Sequence, residues 1–224
     1  MTYLALILPV VLGFGLVQLT KPNKKHLQIF LSFSGAYLLS VTVLHLIPEV
    51  FESHTEHIGV YILIGIVLQS GLEYLSKGAE HGHIHHHNSN EKIPWLLLSS
   101  LCLHAFLEGM PLGLEQDFNY LMAIVIHKLP VAIILTIFLK STGQSNSMVI
   151  GILLLFALMS PLGNFVAQHF PYIHQFENEI NAIIIGVLLH ISTAILFESS
   201  ENHKFNLKKF IAILIGFSVA FISL

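Results

Sequence analysis

The sequence contains little charge and little sulfur. Charged residues make up 10% of the 224 positions, arginine does not occur, and cysteine occurs once, at Cys102. Soluble domains carry about 25% charged residues, so this composition excludes an ordinary soluble globular protein. A single cysteine excludes an intrachain disulfide framework and a cluster of thiolate ligands. Any transition metal bound by this chain must therefore be held by histidine and carboxylate.

The apolar residues are gathered into blocks of about 20, the length that an α-helix needs to cross roughly 30 Å of hydrocarbon. They predict an all-α integral membrane protein with one domain, residues 1–224, and eight spans: 2–20, 28–50, 58–77, 94–113, 119–140, 146–168, 179–199 and 207–223. The first block has no basic stretch before it and no small-residue cleavage site, so we interpret it as a retained helix.

The distribution of lysine predicts the orientation of the spans. Nine of the ten lysines lie in or beside the connections that follow spans 1, 3, 5 and 7: Lys21, Lys24, Lys25, Lys77, Lys92, Lys140, Lys204, Lys208 and Lys209. The positive-inside rule assigns these connections to the cytoplasm, so both termini are expected to be extracellular. The opposite connections are mildly acidic and could concentrate cations, although ordinary solvated loop charge is the favoured interpretation.

The order of the spans predicts a 3+2+3 arrangement. Spans 1–3 and spans 6–8 form two triplets around a central pair, and the second triplet enters the membrane in the opposite direction, as expected of an inverted repeat. The sequence gives weak support, because Glu49 ends span 2 and Glu198 ends span 7, its counterpart.

One low-complexity segment lies in the predicted cytoplasmic loop at 78–93. It holds five histidines within seven residues: His81, His83, His85, His86 and His87. Imidazoles at this density can chelate borderline metals such as Zn²⁺. Capture or sensing of metal is favoured over a merely polar linker.

Spans 4 and 5 contain ionisable residues, which are costly inside a membrane and usually functional. His104 and Glu108 are four residues apart, so they project from one helix face about one turn apart and can share a cation. The alternative is a purely structural ion pair, which apolar residues could replace at little cost. His127 in span 5 is the natural third ligand.

Prolines and glycines accompany these residues. Pro111 removes a backbone donor and should free a carbonyl oxygen one turn earlier as a further ligand, with a simple kink as the competing explanation. Gly109 and Gly113 predict a close approach of span 4 to a neighbouring helix.

Two further histidines lie in other spans. His45 and Glu49 repeat the four-residue spacing at the outer end of span 2, where they form either an entry site for cations or an ordinary interfacial pair. His190 in span 7 could be a transient ligand, a proton carrier or a hydrogen-bonded packing residue, and packing is preferred.

With these motifs the chain resembles the ZIP family of zinc and iron transporters over its whole length. The resemblance rests on the eight spans, the His-rich loop, His45 to Glu49, His104 to Gly113, and His127 with Pro130. It implies transport of Zn²⁺, or of Fe²⁺, Mn²⁺ or Cd²⁺, towards the cytoplasm through a site between spans 4 and 5. His104 and Glu108 match the family's ligands in span 4, and His127 matches its first ligand in span 5.

Four departures from the family's two-metal pattern imply a single-metal centre. Where members commonly carry further ligands, this chain has Ala105, Lys128, Val131 and Ser160. We expect the Lys128 ammonium to replace the second metal in charge and to neutralise Glu108. The alternative is that Lys128 extends to the membrane interface.

The sequence thus predicts a metal transporter and not an enzyme, with the metal ion as cargo and no cofactor. A membrane-embedded metal sensor and an intramembrane metalloenzyme are the alternatives, but His-Glu-x-x-His and a second acid to act as base are missing. The expected partners are a divalent metal ion and the lipid bilayer, with no nucleic acid, and homodimer formation stays open. The compact chain suggests the inner membrane of a bacterium.

Overall fold

The structure, a computed structural model, describes residues 1–20, 22–76, 95–198 and 206–224. Eight long helices follow one another in these ranges: α1 (Thr2–Leu19), α2 (Lys24–Glu52), α3 (Ile58–Ser76), α4 (Trp95–Leu114), α5 (Phe118–Ser141), α6 (Asn146–His169), α7 (Glu177–Glu198) and α8 (Leu207–Ser223). A short helix, Pro171–His174, lies between α6 and α7. The predicted loop at 78–93, with its five histidines, lies outside the described residues.

The helices agree with the predicted spans. Within the described ranges, the seven helices α1 to α7 are long and apolar enough to cross a membrane. The chain is therefore a multi-pass membrane protein. Helix α8 has 17 residues, or about 25 Å of helix, which is the lower limit of the usual spanning length. One boundary differs clearly: span 2 was predicted to begin at residue 28, whereas α2 begins at Lys24. The Asn23 side chain accepts a hydrogen bond from the Lys25 N–H there and caps the helix.

Two of the helices contain an irregular turn. In α2 the segment Thr42–Leu46 forms a π turn just before Pro48. In α4 the helix is interrupted at Met110, and a short segment, Pro111–Leu114, completes it. A proline cannot donate the regular backbone hydrogen bond of a helix. Both interruptions therefore occur beside a proline. Turns of the π type are rare and are frequently found at functional sites.

The helices pack as two groups of four. Helix α3 packs along α7 and α2 along α8, whereas α1 packs along α5 and α4 along α6. The two groups meet mainly where α2 contacts α5 and where α3 contacts α4. The α1/α4/α5/α6 group encloses an apolar cluster to which each helix contributes, for example Val10, Leu101, Val131 and Phe156.

Polar contacts join the connections at the two ends of the bundle. At one end Lys140 of α5 donates a hydrogen bond to Gln18 of α1 at 2.6 Å. At the other end Asn178 at the start of α7 donates to Thr55, between α2 and α3, at 2.9 Å. The C-terminal ends of α1 and α5 therefore lie together, and the start of α7 lies beside the connection between α2 and α3.

The predicted close approach at Gly109 and Gly113 is confirmed. A Cβ atom added to Gly109 would overlap the carbonyl oxygen of Ser160, and one added to Gly113 would overlap that of Asn164. The missing side chains let the backbone of α4 touch the backbone of α6. This contact brings Ser160 beside the part of α4 that carries the predicted ligands.

Gly65 of α3 lies equally close to α7, where an added Cβ would overlap the carbonyl oxygen of Ile183. We expect Gly65→Ala to push α3 and α7 apart and to cost about 1–3 kcal/mol. Thermal unfolding of the detergent-solubilised chain should then show a lower Tm. Gly71→Ala is the matched control on the same helix, since nothing lies within 4 Å of the added atom. Equal Tm values for the two variants would contradict this packing.

Candidate metal centre

Three predicted ligands meet inside the α1/α4/α5/α6 group. Nε2 of His104 lies 2.9 Å from Oε1 of Glu108, and the rings of His104 and His127 stand edge to face with their centroids 6.5 Å apart. One ligand atom from each of the three side chains lies within 4.8 Å of the others. All three residues are at most 3% exposed. The structure thus gathers an imidazole pair and one carboxylate in a single buried place.

His127 gives the clearest chemical indication that this group can bind a metal ion. Both of its ring nitrogens are buried, and neither has a hydrogen-bond partner among the described residues. Buried polar side chains nearly always have such a partner, so this ring needs an explanation. An imidazole that binds a metal uses a nitrogen lone pair for that purpose. Two imidazoles and a carboxylate form a donor set that suits borderline ions such as Zn²⁺.

Lys128 follows His127 on α5 and is 2% exposed. Its Nζ atom donates a hydrogen bond to Oγ of Ser160 at 2.7 Å and lies 5.3 Å from the ring centroid of Phe156. The Ser160 hydroxyl donates in turn to the carbonyl oxygen of Ala105 at 2.7 Å. The side chain is held inside the bundle, so the alternative in which it extends to the interface is wrong.

These hydrogen bonds connect three of the four positions at which the family's ligands are replaced: Lys128, Ser160 and Ala105. The hydrogen-bond partner of the ammonium is Ser160, whereas Glu108 is the group that the ammonium was expected to neutralise. No ion pair joins Lys128 to Glu108 among the described contacts. Any neutralisation of that carboxylate therefore acts through space within the same buried volume.

The carbonyl oxygens beside the centre are not available as ligands in the way the sequence suggested. The Leu107 oxygen accepts a hydrogen bond from the Met110 N–H at 3.1 Å. The Glu108 oxygen accepts one from the Tyr120 hydroxyl at 2.8 Å. The expectation that Pro111 frees such an oxygen is wrong, because the chain closes a tighter turn at Met110. The helix is interrupted at Met110, and the competing explanation, a simple kink, stays a prediction.

A second group of candidate ligands lies at the C-terminal end of α2. Nε2 of His45 is 2.7 Å from Oδ2 of Asp117, and His45, Glu49 and Asp117 each place one ligand atom within 4.8 Å of the others. The sequence predicted the pair of His45 and Glu49 and placed Asp117 among the acids of the opposite connections, without relating it to this pair. In the structure Asp117 caps α5 and lies beside His45.

A pocket lies at the same end of the bundle and is lined by Glu49 and Asp117 of this second group. It offers about 80 Å³ to water-sized molecules, which is room for several waters or a partly hydrated cation. Its polar lining includes Glu49, Glu115, Asp117, Glu177 and Tyr120. The Tyr120 hydroxyl also donates a hydrogen bond to the carbonyl oxygen of Glu108, so one residue of the pocket lining contacts the helix that carries the centre.

His190 lies apart from both groups. Its Nε2 atom is 3.4 Å from Oε2 of Glu73 on α3, and the two side chains are 19% and 20% exposed. The preferred interpretation of His190 as a hydrogen-bonded packing residue stays a prediction. Glu73 was not predicted as its partner, because nothing in the spacing relates α3 to α7.

The contact between Lys128 and Ser160 yields a stability test. We expect Ser160→Ala to remove the acceptor of a buried ammonium and to destabilise the fold by about 1–3 kcal/mol. Ser40→Ala is the control, because that buried hydroxyl bonds only to the carbonyl oxygen of Ala36 in its own helix. The readout is the Tm of each purified variant. A Tm for Ser160→Ala no lower than that of the control would contradict the arrangement.

Known proteins with similar sequences identify the family of this chain. The family model described as ZIP Zinc transporter matches residues 73–223, about two thirds of the chain. Zinc transporter ZIP1 of Plasmodium falciparum (isolate 3D7) is 23% identical over 270 residues, which cover 84% of this chain and 75% of that protein. Protein zntD of Dictyostelium discoideum is 26% identical and Zinc transporter ZIP1 of Homo sapiens is 28% identical. The matches cover 63% and 55% of this chain but only 24% and 41% of those two proteins. This chain belongs to the ZIP zinc transporter family.

Proposed function

We propose that this protein carries a divalent transition metal ion across the membrane towards the cytoplasm, with Zn²⁺ as the preferred cargo and Fe²⁺, Mn²⁺ and Cd²⁺ as related ones. The observation that supports this most is the buried group His104, Glu108 and His127. Its nitrogen and oxygen donors suit borderline ions, whereas Mg²⁺ and Ca²⁺ prefer shells of oxygen alone. Membership of a zinc transporter family supports the transport of divalent metal.

The proposed topology has eight crossings with both termini outside. Its support is the pairing of the helices. In an inverted repeat that relates α1–α3 to α6–α8 and α4 to α5, the α3–α7 pair corresponds to α8–α2, and the α1–α5 pair corresponds to α6–α4. These four pairs are the main helix contacts of the two groups. The lysine distribution orients the bundle, so the pocket lined by Glu115 and Glu177 faces the exterior.

The proposed centre holds one ion at a time. Glu108 supplies a negative charge, and the Lys128 ammonium supplies a positive charge within the same interior. When no ion is bound these two charges balance, which limits the cost of keeping a carboxylate away from water. When an ion is bound the ammonium repels it, and this repulsion weakens retention. A transport site must bind its ion well enough to admit it and weakly enough to release it.

The proposed path begins in the acidic pocket and passes Tyr120 to reach the three ligands. The ion then leaves at the end of the bundle where Lys140 lies, and the predicted His-rich loop would meet it there. We place the protein in the inner membrane of a bacterium on the basis of the sequence alone. The three relatives named above come from eukaryotes and add nothing to this placement.

The ligand assignment is tested by zinc uptake into proteoliposomes that contain an indicator. We expect His104→Ala, Glu108→Ala and His127→Ala each to abolish uptake, because each removes one of three ligands. His26→Ala, which alters an exposed histidine at the start of α2, should leave the rate unchanged. Uptake that persists in the three ligand variants would refute the site, and no uptake in any sample would favour a sensor.

The role of Lys128 has its own test. We expect Lys128→Ala to lower the rate of zinc uptake by about tenfold or more, equivalent to about 1.4 kcal/mol, because Glu108 loses its balancing charge. Lys140→Ala is the matched control, since that lysine lies on the same helix and contacts Gln18 at its end. Wild-type uptake by Lys128→Ala, at equal protein content, would show that the ammonium is not needed.

A further inference from the structure

We propose that His45, Glu49 and Asp117 form a second binding site for a divalent transition metal, at the outer end of the bundle and separate from the buried centre. The three side chains offer one imidazole nitrogen and two carboxylate oxygens, all within 4.8 Å of one another. This donor set is of the kind that binds zinc, with metal distances near 2.0–2.2 Å. Small movements of the side chains are enough to bring the three atoms around one ion.

Asp117 is fixed in place by the start of α5. Its Oδ1 atom accepts a hydrogen bond from the Asn119 N–H at 2.8 Å, which caps the helix. Its Oδ2 atom points to Nε2 of His45 at 2.7 Å. One carboxylate oxygen therefore orients the group while the other is directed at the site. Hydrogen bonds of this kind position metal ligands and strengthen binding.

The backbone of α2 is irregular at this place. His45 lies within the π turn at Thr42–Leu46, and Glu49 lies in the regular segment that follows. The wider turn changes how the residues on its two sides are rotated relative to each other, and here both side chains face Asp117. Turns of this type are frequently found at functional sites.

The electrostatic surroundings favour a cation. Glu115 and Glu177 line the same pocket as Glu49 and Asp117, and no lysine is among the described residues that line it. Four carboxylates around a small volume repel one another, and a bound dication reduces that repulsion. The pocket has about 80 Å³ for water, so a bound ion could keep part of its hydration shell.

The proposed outer site joins the two helix groups. His45 and Glu49 belong to α2, whereas Asp117 begins α5, the helix that carries His127. An ion bound there holds the start of α5 against α2. The site therefore takes metal from the external solution and at the same time links the two halves of the bundle at their outer end.

The test measures Zn²⁺ binding to the full-length chain in detergent by equilibrium dialysis. Two other sets of ligands are first removed, by changing the five loop histidines to serine and by His104→Ala with His127→Ala. We expect this background to retain one zinc site. Adding Asp117→Asn should then weaken zinc binding by at least about tenfold. Removing a residue that only supports a metal ligand already costs about tenfold or more in metal affinity, and Asp117 is proposed as a ligand itself. Asn is also a good helix cap, so the start of α5 is preserved.

Glu52→Gln is the matched control, because it removes an exposed acid from the end of the same helix without touching the site. Equal zinc affinity in Asp117→Asn, His45→Ala and the control would overturn the proposal, as would a background chain that binds no zinc. The proposed transport function is judged separately by uptake. If uptake is intact but zinc does not bind at the outer site, only the proposal of this site fails. If zinc binds at the outer site but uptake is absent, this proposal stands and the proposed transport function fails.

Discussion

The cost of placing ionisable groups away from water governs this structure. A carboxylate, an ammonium and two imidazoles lie inside one group of helices, where each must be paired or serve as a ligand. Glu108 pairs with His104, Lys128 has the Ser160 hydroxyl, and His127 has no hydrogen-bond partner among the described residues. Lys128 is thus held by a hydrogen bond within the protein, whereas the two histidines and Glu108 form the group that is proposed to bind an ion.

The close contact between α4 and α6 determines what kind of centre can form. Because Gly109 has no side chain, the backbone of α6 approaches α4, and Ser160 lies within hydrogen-bond distance of both Ala105 and Lys128. The resemblance to the family implies further ligands in this region. Here an ammonium, a hydroxyl and a methyl group occupy it instead, and the ammonium repels a second cation. This chemistry supports the proposed single-metal centre.

The sequence predicts the local features well and the long-range contacts poorly. Span lengths and the four-residue spacing of His104 and Glu108 are properties of single helices, so the pattern of residues reveals them. The contacts of Lys128 with Ser160 and of His45 with Asp117 join different helices, and no periodicity within one helix encodes them. The Tyr120 hydroxyl that bonds to the Glu108 carbonyl oxygen likewise comes from another helix, whereas the Leu107 oxygen is satisfied by a local turn.

The central claim is that the buried centre holds one ion and not two. Anomalous diffraction at the zinc edge, from crystals of the full chain grown with Zn²⁺, would locate the ions directly. We predict one peak among His104, Glu108 and His127, at about 2.0–2.2 Å from their ligand atoms, and none beside Lys128 and Ser160. Two peaks at the centre, about 3.5–4 Å apart as in two-metal sites, would contradict this account.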